Sequence, residues 1–361
     1  MMVKHYIAVY IAGLLMWTNF AHAQSREMAR MEFLVDSLSK AYTAQPNTHA
    51  LTIGVLDGWR SQAYSFGAID PDDNRLADAR TVFEIGPVSQ TITATLLTAL
   101  ADSGFVDLDQ PITAYLPDSL QYNQSLASIT LKNLANHTSG LPDLAALPNL
   151  QNTDSVQSFS KANLYDYLVN YQAATDPGME YKYSELGYAL IGCVLTDISS
   201  MTFEELLWER FNTPLGLENT GTLPYADQDY AMSHLINSQT ILPGTYDAFA
   251  GSIGIKSSLR DMLLFVRAHF TLAESAIEQA LAGTRQFTFY LPPETDLGLA
   301  WKMHLNGINI VYSYGGDGNG SSTYVSFAPD TRKAIIILTN SAEPIGEMGE
   351  QLMQALLKIT D

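Results

Sequence analysis

With 361 residues, 47% of them hydrophobic, the chain can bury a substantial core and is too apolar to stay disordered. A formal charge of −19 leaves no electrostatic footprint for nucleic acid or an anionic membrane surface. The single cysteine, Cys193, excludes a disulfide within the chain, and the seven histidines include no H-E-x-x-H string or close pair, so neither a metal nor a cofactor is expected.

The chain opens with Lys4 and His5, an apolar run over residues 6–17, and Ala21-His22-Ala23. A charged start, a short apolar centre and small residues at a cut site describe a secretory signal over residues 1–23. The apolar run is shorter than the ~20 residues that span a bilayer. The expected product is therefore an exported protein, periplasmic or secreted, cut after Ala23 and lacking a membrane span. Its charge is one unit more negative once Lys4 is lost.

Residues 26–42 carry Met28, Met31, Leu34, Leu38 and Tyr42 at helical spacing, which predicts an opening amphipathic helix. Two short strands follow, over 49–58 and 61–70. The next helix covers 90–104 and ends at Gly104, a favoured stop. Residues 105–245 differ in texture, with short helical patterns broken by Pro, Gly and Asn and few strand signals. Within them Cys193 sits in YALIGCVLTDI and reads as a small core residue. A helix over 257–272 comes next, then a hairpin centred on Asn306-Gly307, a strand over 333–340 and a closing helix over 346–359. The economical architecture is one α/β domain built from residues 24–104 and 246–361, with a helical region inserted at 105–245.

Seven blocks in order carry a resemblance. They are FEIGPVSQTITATLLTALADSGFVDLDQPITAYLP (83–117), ITLKNLANHTSGLP (129–142), PGMEYKYSELGYALIG (177–192), PLGLENT (214–220), GSIGIKSSLRDM (251–262), LGLAW (297–301) and SYGGDGNGSSTYVSFAPDTRKAIIILTN (313–340). Together they resemble the β-lactamase-related serine hydrolases: class C β-lactamases, D-alanyl-D-alanine peptidases and esterases of the penicillin-recognising fold. The resemblance implies an antiparallel sheet flanked by helices, with the mostly helical region inserted.

That family's chemistry rests on three motifs, and each is altered here. In S-x-x-K one helical turn places Ser and Lys on a common face, so the amine helps activate the hydroxyl. The Ser position carries Pro87, which has no hydroxyl, and the Lys position carries Gln90, which has no basic nitrogen. Proline suits a first helical turn, so the helix survives the loss. Ser89 lies about 200° around the helix from Pro87. Ser37–Lys40 and Ser158–Lys161 have the spacing but not the strand–helix setting. The Y-x-N motif becomes Tyr183-Ser184-Glu185, keeping the tyrosine and losing the asparagine. The K-T-G or H-x-G motif aligns with Ser313-Tyr314-Gly315, keeping only the glycine, with Ser313 open to a shift of one position.

No catalytic set is intact at Pro87, Gln90, Tyr183, Glu185, Ser313 and Gly315. The expectation is a pseudoenzyme that binds a small molecule of the cell envelope, or a protein, in the family cleft. The alternative is an active hydrolase rewired around Glu185 and Tyr183. Tyr183 also admits a plain packing role. Exchanging family cations for Gln90 and Ser313, and adding Glu185, predicts a cleft that disfavours carboxylate ligands. Lys182 and Lys302 offset this only if they point inward, and surface positions are expected for both.

Overall fold

The computed structural model describes residues 27–70, 73–147, 150, 152–224, 228–235, 240–241, 243–318 and 320–359. The signal expected over 1–23 and its expected cut site lie outside them.

The centre of the molecule is an eight-stranded antiparallel sheet. In chain order its strands are β1 (Leu51–Asp57), β2 (Arg60–Phe66), β3 (Phe289–Leu291), β4 (Thr295–Leu297), β5 (Lys302–Asn306), β6 (Asn309–Asp317), β7 (Ser322–Ala328) and β8 (Lys333–Thr339). They lie side by side in the order β2-β1-β8-β7-β6-β5-β4-β3. The chain ends meet at the centre, where β1 pairs with β8 from Leu51↔Thr339 to Asp57↔Lys333. The run AIIIL is continuous because β8 is buried on both faces. Ile335 and Ile337 join one core cluster, and Ala334, Ile336 and Leu338 join the other.

The cluster on the back face lies under two helices. These are α1 (27–43) and the closing α6 (Gly346–Leu357), which contribute Met31, Val35, Leu352, Met353 and Leu356. The front cluster is larger and runs unbroken through the helical region. It holds α2 (Ser89–Asp102), α3 (Glu185–Ser199), α4 (Leu259–Ala268) and α5 (Ala276–Thr284). Gly54 lets α4 approach β1 closely: a Cβ there would stand 2.9 Å from Leu259 Cδ1 and 3.0 Å from Leu263 Cδ2.

Every main-sheet strand falls within 24–104 or 246–361, while the described part of 105–245 holds short helices, the long α3 and one pair of two-residue strands. The hairpin turns one residue later than its Asn-Gly signal suggests. Asn306 pairs with Asn309, so the loop is Gly307-Ile308, with Gly307 at φ +65°. No single helix among the described residues is long and apolar enough to cross a membrane. The bent pair Glu185–Ser199 and Phe203–Leu215 has the length and composition, but its apolar residues fill the front core.

Candidate active-site cleft

A strand over Val82–Glu84 runs into a tight turn, Gly86–Val88, that leads directly into α2. Gly86 adopts φ +47°, and its Cβ position faces the backbone of Gly318 across a gap of 3.5 Å. Pro87 is buried in the turn and rests on β6, where a Cβ on Gly316 would meet Pro87 Cγ at 2.8 Å. The motif's serine position is thus a hydrocarbon ring packed on glycine. Ser89 offers no substitute: its hydroxyl is buried and accepts the Ile255 N–H at 3.1 Å.

Gln90, one turn on, is fully buried and holds two tyrosines. Its Nε2 donates to the Tyr183 oxygen at 2.9 Å, and its Oε1 accepts from the Tyr314 hydroxyl. The Tyr314 oxygen lies 3.0 Å from His137 Nε2, and the Ser184 N–H donates to His137 Nδ1 at 3.2 Å. That last bond assigns the proton of the neutral imidazole to Nε2. The Glu185 charge acts on Tyr183, and its carboxylate accepts the Leu144 N–H at 3.3 Å. The hydrogen bonds therefore run one way, from Ser184 through His137, Tyr314 and Gln90 to Tyr183. Within that chain His137, Tyr314 and Gln90 each donate onward after accepting.

The electrostatics freeze this arrangement. Burial drives the His137 pKa down to about 3, helped by the charge of Lys302, so the ring is neutral at ordinary pH. Tyr183 is pushed well above 10 by burial and then by the Glu185 charge, and Tyr314 is raised in the same direction chiefly by burial. Neither phenol is a base. Burial and the nearby Asp143 raise the Glu185 pKa above the usual carboxylate range. Lys182 and Lys302 are both exposed. Lys302 pairs with Ser313, which puts it on the sheet face opposite Tyr314.

The third motif needs correction by one residue. Ser313 lines a groove with Val311, Tyr324, Glu350 and Met353 under α6, on the back of the sheet. Gly315 abuts Tyr324 on that same face. Tyr314 and Gly316 are the residues of β6 that face Gln90 and Pro87, because successive side chains of a strand point to opposite faces. Pro87, Gln90, Tyr183 and Glu185 do come together, as read from their motifs. His137 and Tyr314 complete the set without having been singled out. His137 lies in the quoted block 129–142 at φ +58°, a conformation few residues with a Cβ adopt.

The other serine–lysine strings form no pair. Lys40 binds Asp36 at 2.8 Å on the surface, and Lys161 binds Asp197 while Ser158 caps its own helix turn at Asp154. Cys193 is buried and its thiol is raised to about 12, so it is an inert core residue.

Comparison with known proteins identifies the family. The family described as Beta-lactamase matches residues 35–358. A β-lactamase of Pseudomonas fluorescens is 26% identical over 351 residues, covering 87% of this chain and 94% of that one. A β-lactamase of Escherichia coli (strain K12) is 28% identical over 302 residues, covering 81% and 74%. The β-lactamase/D-alanine carboxypeptidase structure from Pseudomonas syringae superposes with a TM-score of 0.81 at 24% identity, covering 92% of this chain and 99% of that one. A class C β-lactamase solved with cefoxitin gives 0.82 at 22%, with the same coverage. The chain belongs to the β-lactamase family.

Proposed function

We propose that the protein is an exported, non-catalytic member of its family that acts by binding a cell-envelope molecule or another protein, in the periplasm or outside the cell. The observation that carries this reading is the one-way hydrogen-bond chain through Gln90. An acyl-enzyme route needs a nucleophile and a base within reach of it. Here Pro87 supplies no attacking atom, Gln90 is committed at both ends, and Tyr183 keeps its proton. The charge pattern supports the same reading from the ligand's side. His137 is neutral, and the negative charge of Glu185 acts on Tyr183. Two unit charges ~4 Å apart interact by about 4 kcal/mol at an effective dielectric near 20. A penicillin or D-alanyl carboxylate is therefore a poor ligand here, and neutral or cationic groups are preferred.

One observation favours a second reading. The raised pKa of Glu185 brings a carboxylate toward the range of a general base, with Tyr183 beside it. Turnover assays separate the two readings. Incubation with a chromogenic cephalosporin, a D-Ala-D-Ala peptide and a p-nitrophenyl ester is expected to give no hydrolysis above buffer. Hydrolysis that disappears in Glu185→Gln would establish the second reading and overturn the first.

A further inference from the structure

Beside the cleft, a pocket of about 510 Å3 is lined by Asp166, Tyr167, Asn170, Tyr171, Gln172 and Lys182. Its volume falls in the ~300–1,000 Å3 range of small-molecule sites. Tyr167 and Tyr171 form an aromatic wall, their ring centroids 6.2 Å apart and tilted by 40°. Tyr171 is buried and donates its hydroxyl to the Gly140 carbonyl at 3.1 Å, which fixes its ring. The remaining polar groups are uncommitted. The side chains of Asp166, Asn170, Gln172 and Lys182 and the Tyr167 hydroxyl make no hydrogen bond to the described residues. Asp166 and Lys182 carry opposite charges into one pocket, yet they do not pair.

These features narrow the ligand. An apolar molecule would leave a carboxylate, two amides and an ammonium facing it without partners. An anion meets Asp166 on a chain of formal charge −19. A pyranose has apolar C–H faces for an aromatic wall and a rim of hydroxyls that donate and accept together. The uncommitted groups include acceptors, donors and amides that do both.

We propose that this pocket is a binding site for a neutral carbohydrate, its ring packed on Tyr167 and Tyr171 and its hydroxyls held by Asp166, Asn170, Gln172 and Lys182. The site is separate from the hydrogen-bond chain of the cleft, so it stands whether or not the cleft turns over a substrate.

Saturation-transfer NMR tests it, using the protein with methyl β-D-glucopyranoside and N-acetyl-D-glucosamine, and with acetate and D-alanine as controls. Transfer to the ring C–H protons of at least one sugar is expected, with none to acetate or D-alanine. Tyr167→Ala and Asp166→Ala should each weaken that sugar about tenfold, the equivalent of ~1.4 kcal/mol. Asp166 is exposed, so its change leaves the core intact; Tyr167 packs on the front core, so circular dichroism of its variant confirms the fold before binding is read. No transfer to either sugar, equal transfer in both variants, or stronger transfer to a control would overturn the proposal. Turnover and acylation assays at the cleft report independently of all these outcomes.

Discussion

An amide side chain donates and accepts at once, and Gln90 does both in a setting where each unpaired polar group costs about 1–3 kcal/mol. Gln90→Leu removes the acceptor of the Tyr314 hydroxyl proton and the donor to the Tyr183 oxygen, so a loss of about 2–4 kcal/mol in chemical denaturation is expected. A change under ~0.5 kcal/mol would mean the chain of hydrogen bonds is not stabilising. Gln90→Lys alone should cost more, because it buries an ammonium and removes the acceptor of the Tyr314 hydroxyl. The triple change Pro87→Ser, Gln90→Lys and Glu185→Asn restores all the groups of the first two motifs. It should acquire slow acylation by an activated ester, read as a mass increment. A folded triple variant that never reacts would show that further groups are missing. At this scale the first two motifs were legible because their spacing is helical and three-residue registers are unambiguous. The third was misread because a strand has a period of two, so a slip of one residue exchanged Tyr314 for Ser313 and front for back. His137 carries no motif at all; a lone histidine in a turn becomes a network member only through the tyrosines folded around it.

Besides the hydrogen bonds through Gln90, the Gly86–Val88 turn is coupled to β6 by direct packing. Gly316 is the point of closest approach, with Pro87 Cγ 2.8 Å from where a Cβ would stand. Gly316→Ala should therefore destabilise by about 1–3 kcal/mol through overpacking. Combining it with Pro87→Ala, which removes the offending ring carbons, should recover about 1 kcal/mol of that loss in a double-mutant cycle. Strict additivity would mean the turn and the strand do not press on each other. Long periodic elements were readable from the sequence. The helix over 89–102, the helix over 346–357 and the strand over 333–339 fall within a few residues of their expected bounds. β3 and β4 were not readable, since three residues each are too few to show an alternation. β7 is buried along its whole length, which masks the alternation that marks a half-exposed strand.

Across the whole molecule, burial keeps several histidines neutral. His137 is lowered to about 3 and His234 to about 4, and His49 and His269 are lowered as well, in each case chiefly by desolvation. A histidine whose folded pKa lies below its unfolded value of ~6.5 contributes stability above that value. The contribution is lost as pH falls, because the unfolded chain takes up the proton first. Glu84, Glu185 and Asp261 act with the opposite sign, since their raised pKa values favour the folded state as the medium acidifies. A single-residue comparison isolates one term. His137→Asn keeps a residue tolerant of positive φ. The wild-type advantage over it should shrink by ~1.4 kcal/mol per pH unit between pH 6.5 and about 3. A constant difference across that window would contradict a neutral, buried His137.

On the proposed function, no atom at the family's motif positions takes an acyl group. Intact-protein mass spectrometry after exposure to a fluorophosphonate, a β-lactam and an activated ester tests that most directly. An unmodified mass with all three probes is the expected result. A single stoichiometric adduct would contradict it, and mapping the modified residue would identify the nucleophile that stands in for the missing serine.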